Sequence, residues 1–123
     1  MCNGALTTDD GELNKFTHDG SGRLTYTGEE TIKVRVNFTV TSYLNTAGTN
    51  AMARFMLYQD GAKVNKTEVS EPLAGTGTYP YHAMSFSCIL TMAKDSYIEI
   101  YVANDTSTTD IMVYDANLNV ACL

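Results

Sequence analysis

The chain has 123 residues, room for one domain and too few for two ordinary ones. Hydrophobic residues make up 44% of it and charged residues 18%, so the apolar material for a core is present and disorder from its absence is excluded. The formal net charge of -6 argues against nucleic acid and anionic membrane as partners, since both recognise clustered basic residues.

Residues 1–16 are polar, acidic and Gly-bearing with no periodic apolar pattern, and read as an N-terminal arm; residues 17–123 read as the folded domain. The N-terminus lacks a basic stretch followed by an apolar one, so no secretory signal is read there, and no run of about 18 apolar residues predicts a membrane span. Gly20, Gly22 and Gly28 punctuate a segment in which Leu24 and Tyr26 alternate with polar residues, the pattern of a short edge strand between turns.

From Glu29 the pattern changes. Ile32, Val34, Val36, Phe38 and Val40 alternate with Lys33, Arg35, Asn37, Thr39 and Thr41, which predicts a half-buried strand with one wet face. A turn over 45–50 leads to 51–58, a run apolar on both faces apart from Arg54 and therefore a strand covered on both sides. Asp60-Gly61 is a two-residue hairpin signal. Residues 67–79 read as a loose segment, with Pro72 in a loop or at a strand beginning. Met84, Phe86, Cys88, Leu90 and Met92 then mark a long strand. Lys94-Asp95-Ser96 turns the chain into 97–102, and 104–110 leads to a last strand. There Met112, Tyr114, Ala116, Leu118, Val120 and Cys122 form the apolar row. No window carries apolar residues at helical spacing, and Thr, with 17 copies, joins Tyr, Val and Ile in favouring strand. The expectation is an all-β sandwich of jelly-roll type.

No catalytic set is nominated. His18 and His82 stand apart in loop-like surroundings, and no nucleophile–base motif is present. The neighbours Asp9-Asp10 and Glu29-Glu30 would point to opposite faces of a strand and make no glycosidase pair. Asp19-Gly20-Ser21-Gly22 offers oxygens to calcium, but too few for a full shell, and a Gly-rich turn explains the same residues. No metal and no cofactor is therefore expected. The N-x-T triplets at Asn37, Asn65 and Asn104 are near what chance supplies. Cys2, Cys88 and Cys122 form an odd set without a CxxC pair, the usage of a protein assembled inside a cell; a Cys88–Cys122 bridge stays open.

The tyrosines say more. Tyr97 and Tyr101 point one way from their strand while Ile98, Ile100 and Val102 point the other, so both faces are suited to burial. A sheet of a two-layer sandwich needs one buried face, so a second points to a subunit interface. Its expected residues are Tyr97, Glu99, Tyr101, Tyr114, Met52, Arg54 and Met56. Glu99, between the two tyrosines, should meet Arg54 or Lys94 or stay near solvent. The plainer alternative places strand 51–58 under the arm or a long loop.

Three pieces carry a resemblance. They are Asp19-Gly20-Ser21-Gly22-Arg23-Leu24-Thr25-Tyr26-Thr27-Gly28 before the long strand at 31–41, then Arg54-Phe55-Met56-Leu57-Tyr58-Gln59-Asp60-Gly61, and Lys94-Asp95-Ser96-Tyr97-Ile98-Glu99-Ile100-Tyr101-Val102-Ala103-Asn104. Over roughly residues 16–122 the chain resembles the trimeric C1q/TNF-like jelly-roll domains of tailed-phage virions. Those domains carry a Gly before the Asp of the last piece, where this chain has Lys94. The resemblance implies a structural, non-enzymatic virion protein made in the host cytoplasm and seated on the capsid surface. It would be a homotrimeric decoration (cement) or short head-fibre protein, with the major capsid protein as partner and the arm as its attachment. The alternative is a receptor- or glycan-binding head domain of a tail fibre, with a host-surface glycan on a loop bearing Tyr79 and Tyr81.

Overall fold

A computed structural model describes residues 15–20, 22–45, 50–74 and 81–123. Short strands β1 (Phe16–His18) and β2 (Leu24–Tyr26) precede the long β3 (Ile32–Leu44) and β4 (Asn50–Gln59). Then come β5 (Ala62–Lys63), a single 3-10 turn, β6 (Val69–Ala74), β7 (His82–Met92), β8 (Tyr97–Asn104) and β9 (Ile111–Cys122). All pairings among the described residues are antiparallel. Sheet I has six strands in the order β1-β2-β8-β4-β5, with β6 also paired to β4; sheet II has three, β7-β3-β9.

The all-β sandwich expected from the sequence is the architecture observed. The alternation on β3 sends Val34, Val36, Phe38 and Val40 inward, where each is almost fully buried. They meet Phe55 and Leu57 of β4, Leu73 of β6 and Ile98 and Ile100 of β8. Phe38 lies at the centre, its ring 6.2 Å from Phe55 across the sheets and 5.2 Å from Phe86 on the neighbouring strand.

Asp60 and Gly61 both take positive φ, 51° and 81°, the backbone of the I′ turn that the right-handed twist of a hairpin selects. Asp60 does more than turn the chain. Its carboxylate accepts from the Tyr97 amide at 2.9 Å and the Ser96 hydroxyl at 2.8 Å, tying the β4–β5 hairpin to the start of β8.

Three expectations about the strands are corrected, and the open question of a disulfide is answered. The loose segment at 67–79 contains β6, paired with Asn50–Phe55 of β4. Pro72 lies inside that strand, which is tolerable because β6 is an edge and needs no donor on its free side. On β9 the partners step from Asp115 opposite Thr41 to Val113 opposite Ser42, leaving Tyr114 as the extra residue of a β-bulge. The inward row is therefore Ile111, Val113, Ala116, Leu118, Val120 and Cys122, and neither Met112 nor Tyr114 belongs to it. Cys88 and Cys122 are free, since they flank β3 on opposite sides. Two strand spacings, roughly 10 Å, exceed the span of a disulfide. Of the arm, 1–14 lie outside the described residues; Phe16 starts β1, its ring 5.3 Å from that of Tyr26.

Candidate functional site

The outward face of sheet I follows from register. Glu99 stands opposite Tyr58, Tyr101 opposite Met56, and Ala103 opposite Arg54. Six of the expected interface residues (Met52, Arg54, Met56, Tyr97, Glu99, Tyr101) thus share one face of two adjacent strands. Met56 and Glu99 are only 6% and 3% exposed although no strand among the described residues lies over them on this side. Neighbouring side chains cover them: Tyr58 and Tyr101 pack with ring centroids 4.3 Å apart.

Glu99 pairs with neither Arg54 nor Lys94. The pairing of Leu24 with Ile98 sets Arg23 beside Glu99, and the Arg23 Nε donates to Glu99 Oε1 at 3.0 Å. The same guanidinium lies 4.0 Å from the Tyr97 ring centroid. Arg54 is too far along β4 for that role. It donates to Asp105 and pairs with Glu68 at 3.4 Å, and Lys63 reaches Glu68 at 2.9 Å. Lys94 pairs with Glu29 instead.

Charge shapes the acid–base behaviour of this face. The nearby Glu99 carboxylate, together with desolvation, raises the Tyr101 phenol above its ordinary value. The hydrogen bond from Lys63, reinforced by the charges of Lys63 and Arg54, lowers Glu68.

Tyr114 does not join this face. It belongs to sheet II, where the bulge turns it outward, 66% exposed, with its ring centroid 5.0 Å from that of Tyr81. Tyr81 in turn meets Tyr43 at 5.3 Å, and Tyr79 lies outside the described residues. No protein-family model matches the sequence, and no curated protein matches it either.

Other candidates assemble less. Among the described residues no group of three His, Cys, Asp or Glu is placed to hold a metal. In the Asp19-Gly20 turn, a carboxylate oxygen of Asp19 accepts from the Arg23 amide at 3.3 Å. His82 pairs with Glu71 across the sheets at 3.5 Å, and Ser42 stands opposite His82 on β3. The Ser42 hydroxyl is fully enclosed without a hydrogen-bond partner, so this trio presents no nucleophile to solvent.

Sequence reasoning missed Arg23, Tyr58, Asp105 and Tyr43. For Arg23 the signal was present: Leu24 and Tyr26 point inward, so Arg23 and Thr25 point outward.

Proposed function

We propose that the chain is a structural virion protein, a homotrimer of jelly-roll, C1q/TNF-like winding that decorates a capsid or forms a short head fibre. One observation carries the assembly. The outward face of sheet I gathers Met52, Met56, Tyr58, Tyr97 and Tyr101, and the charged groups around them are matched on the chain itself. Arg23, Arg54 and Lys63 meet Glu99, Glu68 and Asp105, three cations to three anions. Covering such a face strands no unpaired charge, while the tyrosine rings supply apolar area and keep hydroxyls for a wet rim. Attachment to the major capsid protein then gains from three simultaneous weak contacts.

Sedimentation of the full chain at micromolar concentration should give three times the 13.4 kDa chain mass. Tyr101→Ala should dissociate the trimer and keep the β-sheet circular dichroism. The wild type should bind capsids stripped of their decoration. A monomer, together with no capsid binding, overturns the reading. A trimer indifferent to Tyr101→Ala moves the interface to another face.

A further inference from the structure

The geometry points to a second site, on the other sheet: we infer that Tyr43, Tyr81 and Tyr114 form a stacking platform for a neutral oligosaccharide. This does not depend on the assembly proposed above, since every residue comes from one chain.

The platform is built by two features of sheet II. The β3–β7 register pairs Ser42 with His82, so the next residues, Tyr43 and Tyr81, face each other on the outer side. Their ring centroids are 5.3 Å apart in an edge arrangement. The β9 bulge brings the third ring. With unbroken alternation Tyr114 would point inward with Ala116 and Leu118; the extra residue aims it outward against Tyr81. Tyr81 and Tyr114, at 44% and 66% exposure, are among the few large side chains with apolar area left open to solvent. A bulge that takes an aromatic ring out of the interior and stacks it on an exposed partner loses core packing, so the outward ring needs another use.

What lies beside the rings selects the ligand. Along the same outer face Thr39 stands between Ser85 and Asn117, and Asn37 between Ser87 and Asn119. This strip is short, uncharged and rich in hydrogen-bonding groups. Asp115, opposite Thr41, is the charge nearest the rings along β9 and repels phosphate, sulfate and carboxylate. Ser87 already donates to Asn37 Oδ1 at 2.8 Å, but a wholly apolar partner would still cover the other polar groups of the strip, whereas a sugar ring has a C–H face for the tyrosines and hydroxyls for the Asn, Ser and Thr side chains. Asp115 is placed to accept from a sugar hydroxyl.

The test uses the full chain with cellohexaose, maltohexaose, chitohexaose and mannohexaose, and with a heparin oligosaccharide as the anionic control. Calorimetry and the tyrosine-ring NMR signals report binding. At least one neutral probe should bind at millimolar concentration or tighter, and Tyr114→Ala should weaken it by about tenfold or more. Tyr114 is too exposed for that change to move the melting temperature. Tyr81→Ala should act likewise, and Lys66→Ala, at an exposed position of the 3-10 turn, should leave sugar binding unchanged. The inference is overturned if no neutral probe binds, if heparin binds in preference, or if binding survives both Tyr114→Ala and Tyr81→Ala.

Discussion

The ring of Tyr26 occupies the space that a side chain at Gly28 would need. A Cβ there would sit 2.5 Å from the Tyr26 Cζ and 2.8 Å from its Cε2. Tyr26 cannot yield: it is fully buried, its hydroxyl donates to the Glu30 carbonyl at 2.8 Å, and its amide donates to the Ser96 carbonyl at 2.8 Å. Gly28→Ala should therefore cost about 1–3 kcal/mol, as overpacking does. Chemical denaturation measures it, and Tyr26→Phe in the same background should restore part of the loss by removing the nearest atom.

Thr67 should be as hard to replace. Its hydroxyl accepts from the Leu57 amide at 3.0 Å and donates to the Val64 carbonyl at 2.7 Å, all inside the fold. Thr67→Val keeps the shape and leaves a buried amide without an acceptor, a loss of about 1–3 kcal/mol. The Leu57 amide should lose hydrogen-exchange protection, and Thr67→Ser should keep it.

Arg23→Ala should destabilise more than the double variant Arg23→Ala/Glu99→Gln. The single change leaves the carboxylate of Glu99, 3% exposed, without its cation. The double change removes the charge as well. Melting temperatures of the four proteins of the cycle give the coupling, and equal losses from the single and double variants would show that Arg23 acts through its stacking on Tyr97 alone.

Two groups on the same face should respond to pH in opposite senses. Glu68 titrates below its unfolded value, chiefly through the Lys63 hydrogen bond. Its contribution is whole above the ordinary glutamate range and is lost as the pH falls through the lowered folded value. Glu68→Gln should flatten that part of the acid side of the stability curve. Tyr101 titrates above its unfolded value because of Glu99, so its contribution is whole below the ordinary phenol range and is lost as the pH rises through the raised folded value. Tyrosinate absorbance should show a late-ionising phenol that Tyr101→Phe removes.

These sites differ in how openly the sequence displays them. The strand at 32–44 was legible because five apolar residues in strict alternation leave no helical reading, and the Asp60-Gly61 turn because a I′ hairpin needs two positive φ angles. β6 was not: Glu71 and Pro72 interrupt its pattern, and only pairing with β4 makes a strand of it. The bulge was hidden for the opposite reason. Met112, Tyr114 and Ala116 look like an unbroken apolar row, and only the register against β3 reveals the extra residue. The partner of Glu99 depends on how β2 aligns with β8, which short strands of few apolar residues do not announce.

The placing of β3 has a consequence for the order in which the molecule forms. Both strands that flank it, β7 and β9, come later in the chain, so Val36 waits for Cys88 on one side and Val120 on the other. No hairpin involves β3, and its ladders close only after long stretches of chain have been brought back, at the entropic cost that slows folding of non-local sheets. The β4–β5 hairpin is the reverse, a local unit that can form at once. Until β9 arrives, one flank of the apolar row from Val34 to Val40 has no strand beside it. A nascent chain should hold that row exposed and sticky until residues near 120 have left the ribosome, and should depend on them for its release in soluble form.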